Sequence, residues 1–180
     1  MAYYGAEAAV EAVSEFLQDG SYGINAELAT MRSALSLSTS KLPNIASFDK
    51  YFPKEMQARS FPNCSIIYLS DTGEQVANSR MIDVDIDIHI TVLDMNVDGA
   101  AEDVGLAMCR YRDAMTKIFL RRLPNGKQGW TLNNGGTVAT GRVIRATIDQ
   151  NTLAFDPNIQ ASTPNMMLRT NINVRLQEDY

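Results

Sequence analysis

Residues 81–93 read MIDVDIDIHITVL, and no other stretch constrains the fold as strongly. Ile82, Val84, Ile86, Ile88, Ile90 and Val92 alternate with Asp83, Asp85, Asp87, His89 and Thr91. Successive strand residues point to opposite sides of a sheet, so this alternation predicts a β-strand with one apolar and one acidic face. At about 3.4 Å per residue the stretch reaches roughly 44 Å, well beyond an ordinary strand of about five or six residues. The rest of the chain must cover its apolar side and find solvent or counter-charges for its carboxylates.

Helical cover is legible on both sides of this stretch. Ala6 to Leu17 predicts a helix, with Val10, Val13, Phe16 and Leu17 at helical spacing and Asp19-Gly20 ending it. A second helix is expected from Ala26 to about Leu37, capped by Asn25 and burying Leu28, Met31, Ala34 and Leu35. From Ala100 to about Arg122 the residues Val104, Met108, Tyr111, Met115, Ile118 and Phe119 recur at steps of three and four. Glu102 and Asp103 near its start, with Lys117, Arg121 and Arg122 near its end, suit the helix dipole. Its apolar stripe is the natural partner of the long strand's apolar face.

Three further strands are expected. Cys64 to Leu69 is short and apolar, and should pair antiparallel with the long strand across a turn-rich SDTGEQVANS loop. Arg142 to Ile148 is the third strand, followed by a long connector. The last runs from Met166 to Leu176, with Leu168, Thr170, Ile172, Val174 and Leu176 on one face and Arg169, Asn171, Asn173 and Arg175 on the other. Residues 43–62 carry three prolines with Phe48, Tyr51, Phe52 and Phe61, which predicts an ordered loop or short helix. The expected order is α-α-β-β-α-β-β. One-sided helices and strands need one another, so the class is α+β, a mainly antiparallel four-stranded sheet with helices on one face. Residues 1–180 form one expected domain, with a helical extension at about 1–24.

Charge and composition narrow the function. A net charge of −5 does not suit a general nucleic-acid binder. Residues 1–104 hold 16 acidic and 6 basic side chains, whereas 105–180 hold 5 and 10. The asymmetry is either an accident of sampling or the mark of a molecule with an acidic and a basic side, suited to head-to-tail self-association. Cys64 and Cys109 form no CxxC pair and are expected as buried free thiols in a reducing cytoplasm. The first residues lack the basic start of a signal peptide, and no apolar run approaches the roughly 18 residues of a membrane span.

Candidate chemistry is sparse. Asp83, Asp85, Asp87 and His89 share a strand face and are of metal-ligating type. Residues two apart on a strand diverge, so a metal would need ligands from neighbouring strands, and the last strand offers Arg and Asn. No metal, cofactor or catalytic residue is therefore assigned. His89 is the only histidine, and no nucleophile stands in a recognisable arrangement with it. Asn133-Asn134-Gly135-Gly136 lacks the ending of a phosphate loop. Arg142, Arg145, Arg169 and Arg175 either form a basic patch or pair with the acidic strand face of the same sheet or a neighbour; pairing is the better reading. Phe48, Tyr51, Phe52 and Trp130 are candidate subunit-interface residues beside those arginines, or simply pack locally.

The sequence of KLPN, CSIIYLS, RMIDVDIDIHITVL, AAEDVGLAMCRYRDAMTKIFL, VIRATI and LRTNINVRL resembles the layout of tail-terminator (tail-completion, or neck) proteins of long-tailed bacteriophages. The likeness covers about Ala26 to Leu176 and rests on the order and character of elements. The helix at Ala6–Leu17 and the loops at 43–62 and 124–140 lie outside the minimal pattern. What the resemblance implies is a structural virion protein rather than an enzyme. It would form a homo-oligomeric ring, typically a hexamer, capping the tail tube protein and docking to the head connector or adaptor, with DNA passing through. Assembly would take place in the host cytoplasm, without a membrane or cofactor. On that reading Asp83, Asp85 and Asp87 are expected to wall the lumen. The alternatives are another head–tail connector, a metal-dependent enzyme using Asp83, Asp85, Asp87 and His89, or a monomeric binding module using the 43–62 aromatics.

Overall fold

A computed structural model describes residues 5–50, 60–93, 97, 101–120, 141–155 and 165–179. Helices α1 (Gly5–Gln18), α2 (Ile24–Leu35) and α3 (Ala101–Leu120) accompany strands β1 (Ser47–Lys50), β2 (Asn63–Val76), β3 (Ser79–Leu93), β4 (Gly141–Phe155) and β5 (Asn165–Asp179). The strands form one sheet in the order β1-β2-β3-β5-β4. The α+β class is as expected, but the sheet has five strands, and β1 runs parallel to β2 while the other pairs are antiparallel. The extra strand comes from the aromatic, proline-punctuated segment, where SFDK is too short to show a period.

The apolar side of β3 is the centre of the core. Ile82, Val84, Ile86, Ile88, Ile90 and Val92 are all buried, in one cluster with Leu168, Ile172, Val174 and Leu176 of β5. Val104, Met108, Tyr111, Met115 and Ile118 of α3 join this cluster, so the helical stripe does meet the strand's apolar face. Ala8, Ala9, Val10, Val13 and Leu17 of α1 are buried in the same core, and α1 packs against β1, β2, β3 and β5. Cys64 is fully buried, which pushes its thiol pKa up and leaves it inert. Cys109 is only half-buried, contrary to expectation, because it lies toward the margin of the α3 stripe.

Asn25 does not cap α2. Gly23 holds the N-cap position, and Asn25 sits inside the helix with a different task. Its Nδ2 donates to the Ile45 carbonyl at 3.1 Å and its Oδ1 accepts from the Ile45 N–H at 2.8 Å. Arg32 Nη1 donates to the Leu42 carbonyl at 2.8 Å, and Tyr111 Oη to the Pro43 carbonyl at 2.6 Å. These bonds satisfy the backbone of the α2–β1 connection, which has no ladder of its own. Ser36, left-handed at φ 54°, ends α2 while the Leu37 N–H bonds back to the Arg32 carbonyl at 2.9 Å.

The β2–β3 hairpin is tighter and longer than its sequence suggests. Pairing runs without interruption from Thr72 to Val76, and Val76 faces Ser79 across the two residues Ala77 and Asn78. Ala77 takes the left-handed conformation such a short turn requires, at φ 53°. Likewise β4 continues past Ile148 to Phe155. Register shifts skip Leu69 in β2, and Ile144 and Asp149 in β4, each the mark of a bulge that adds local twist. Among the described residues no helix is long and apolar enough to cross a membrane.

Candidate functional site

The sheet face turned away from the core is polar, and β3 and β5 supply its centre. Their antiparallel register sets Asp83 opposite Arg175, Asp85 opposite Asn173, Asp87 opposite Asn171 and His89 opposite Arg169. Cross-strand neighbours on one face lie close enough for side chains to meet. Arg175 Nη2 is 3.0 Å from Asp83 Oδ2. Asn173 Nδ2 donates to Asp85 Oδ1 at 2.8 Å, and Ser70 Oγ of β2 donates to Asp85 Oδ2 at 3.0 Å. Asn171 Nδ2 donates to Asp87 Oδ1 at 3.0 Å, while Arg169 brings both Nε and Nη2 to Asp87 Oδ2 at 2.6 Å.

These contacts resolve the two readings of the arginines for Arg169 and Arg175: both pair with the acidic strand of their own sheet. Two guanidiniums answer three carboxylates, and the middle one, Asp85, is held by an amide and a hydroxyl instead. The strand is therefore not a bare acidic wall. Asp87 is the most enclosed of the three at 3% exposure, which is tolerable only because its oxygens are occupied by charged and neutral donors. Among the described residues no group of three or more His, Cys, Asp or Glu side chains is placed to hold a metal ion. The carboxylates diverge along the strand and point into donors, not toward one another.

His89 borders this ladder without completing it. Its Nε2 is buried with no hydrogen-bond partner and lies 3.6 Å from Asp87 Oδ2, too far for a bond. Burial holds its pKa below the ordinary histidine value; the Asp87 carboxylate pulls the other way, and the Arg169 charge adds to the lowering. The unfolded chain, titrating near 6.5, binds a proton before the folded chain does. This contribution to stability is complete above the unfolded value and is lost as pH falls through the lower folded one. Urea melts should accordingly show a loss of stability beginning near pH 6.5 and continuing below it, and His89→Gln should remove that part of the slope.

A second polar group closes the β1 end of the face. Asn63 Nδ2 donates to Asp49 Oδ2 at 2.6 Å and to Ser47 Oγ at 2.8 Å, while Ser65 Oγ donates to Asn63 Oδ1 at 2.9 Å. Ser65 faces His89 in register and donates its hydroxyl to Asn63. This group was missed from sequence because β1 itself was missed. The amides of Asn171 and Asn173 had a visible signal, the alternation that sets them on the same face as Arg169 and Arg175.

Of the remaining candidates, Phe48 is half-buried and packs against the core. Tyr51, Phe52 and Trp130 lie outside the described residues, as do the side chains of Arg142 and Arg145. The backbone places Arg142 opposite Gln177 and Arg145 opposite Arg175, on the strand that forms one edge of the sheet. The chain matches no known family model, and no curated protein matches it.

Proposed function

We propose that this chain is a structural subunit of a virus particle, a tail terminator that assembles into a ring on the tail tube and joins it to the head connector. The observation that carries the reading is the one-sided sheet. Three helices cover one face; among the described residues no helix lies on the opposite face, which is mainly Asp, Asn, Arg, Ser and Thr with Ile67 and Met167 among them, and its charges are largely satisfied within it. An enzyme site needs free groups converging on a substrate; a channel wall needs a smooth polar surface that holds passing phosphates weakly. In the ring this face, with Asp83, Asp85 and Asp87, turns toward the lumen. The presence of Arg169 and Arg175 beside the carboxylates tempers their repulsion of DNA, so the wall is polar and mildly acidic.

The layout of elements, which resembles the tail-terminator pattern from α2 to β5, supports the same reading. A cysteine placed at Gln150, an exposed residue of β4 in register with Asn171, offers a direct test. In a Cys109→Ser background, a gold label at this position should appear inside the ring in electron micrographs. Label on the outer rim, or a chain that forms no ring even when mixed with tail tubes, would contradict the proposal.

A further inference from the structure

Among the described residues, both borders of the sheet hold long stretches with no pairing strand. β1 covers only Asn63–Ile66 of β2, and among the described residues no strand pairs with the outer side of β2 from Ile67 to Val76 or with the outer side of β4. Neither stretch contains proline or lysine, two of the residues that blunt an exposed edge, although both carry bulges. We infer that these two edges pair with each other between copies of this chain, the outer edge of β4 in one subunit against residues 67–76 of β2 in the next. This rests on the ring reading above and specifies the contact that would build it.

Three features argue for a second copy as the occupant. The first is direction. β2, β3, β5 and β4 are successively antiparallel, so β4 runs opposite to β2. A neighbouring copy that keeps the same strand orientation therefore offers β2 to β4 in the antiparallel sense, the more stable pairing. The second is charge. The sheet order puts strands from the acidic half of the chain at one border and strands from the basic half at the other. The rows Glu74–Met81–Gln177–Arg142 and Thr72–Asp83–Arg175–Arg145 show both borders at the same end of the sheet. Residues 67–76 carry Asp71 and Glu74 with no basic residue, and the corresponding end of β4 carries Arg142 and Arg145. The two borders thus differ in sign and can meet between copies, with Arg80 of β3 lying over Gly73 at the acidic one.

The third feature is fit. β1 occupies the far end of β2, which leaves ten residues of edge, about 34 Å, for the first part of β4. A contact between two different edges is heterologous, so it propagates from copy to copy and closes into a ring when the rotation allows. The bulges at Leu69, Ile144 and Asp149 lie in the two edge strands and supply added twist there.

The hairpin geometry identifies the groups that would bond. In a two-residue hairpin the closing pair, Val76 and Ser79, exchanges both hydrogen bonds, and bonded pairs alternate from there. Asp71, Gly73 and Gln75 thus turn their backbone N–H and C=O groups outward. Hydrogen exchange on the unaltered chain should show these three amides slowed on the order of a hundredfold or more in the assembled form relative to the chain dissociated by salt. Gln75→Pro and Asp71→Pro remove one outward donor each without touching the β3 ladder, and should yield folded chains that fail to assemble. Assembled rings in which the three amides exchange freely, or proline variants that assemble as the parent does, would overturn the edge pairing while leaving the ring reading in place. A parent chain that stays monomeric under all conditions would overturn both.

Discussion

Arg169→Ala should lower the unfolding free energy by about 3 kcal/mol, a large effect for a residue whose own side chain is half exposed. The cost arises at its partner. Asp87 is buried at 3% exposure and receives two guanidinium nitrogens at 2.6 Å; without them its charge keeps, among the described residues, the Asn171 amide as its hydrogen-bond donor. Asp87→Leu should cost less, because the guanidinium left behind can turn to water. The double change Asp87→Leu with Arg169→Met should recover most of the stability, since replacing both members of an enclosed pair is often nearly neutral. Urea titration of the three variants measures the cycle. Equal losses for the single changes that simply add in the double would mean the pair is not coupled.

Ile86→Ala should cost about 4 kcal/mol, the usual range for emptying a core site of this size being about 2–5 kcal/mol. Ile86 is fully buried on the middle strand, between Tyr68 of β2 and Ile172 of β5, under the helical layer. Truncating Tyr68 in the same cross-strand row should cost under about 1 kcal/mol, because it is 36% exposed and its hydroxyl bonds to the exposed Asp71. The contrast separates the loss of packing from any general weakness of strand pairing. If both changes cost the same, the core is not centred where the structure puts it.

How much of this was readable in the sequence follows from how cleanly each element has one wet and one dry side. β3, β5 and α3 do, and their alternation or helical spacing located them within a few residues. β2 beyond Leu69 does not. Residues 70–75 are exposed after the bulge, so SDTGEQV looks like a loop although every residue is in the ladder. β4 fails for a related reason: bulges at Ile144 and Asp149 reset the side-chain phase twice, and a strict two-residue period stops at Ile148. Asn25 misled because an asparagine before a helical run is a common cap, whereas here a distant backbone group at Ile45 claims its side chain. The polar ladder was half legible. One-face alternation showed Asp83, Asp85 and Asp87 together, and Arg169 to Arg175 together, but only register shows which carboxylate meets which donor.

That ladder also changes what the long strand means. As a sequence it resembled a row of ligands; in the fold it is one side of a paired, largely self-satisfied surface lying between edge strands β2 and β4, which among the described residues have no partner on their outer sides over most of their length. The proposal of a ring-forming subunit depends on those edges and that surface being used together. Light scattering on the purified chain across a range of concentration and salt is the most direct test. The expected result is a discrete assembly, a small whole multiple of 19.9 kDa, that falls apart as salt is raised. A mass of one chain at every concentration and salt, unchanged when tail tubes are added, would contradict it.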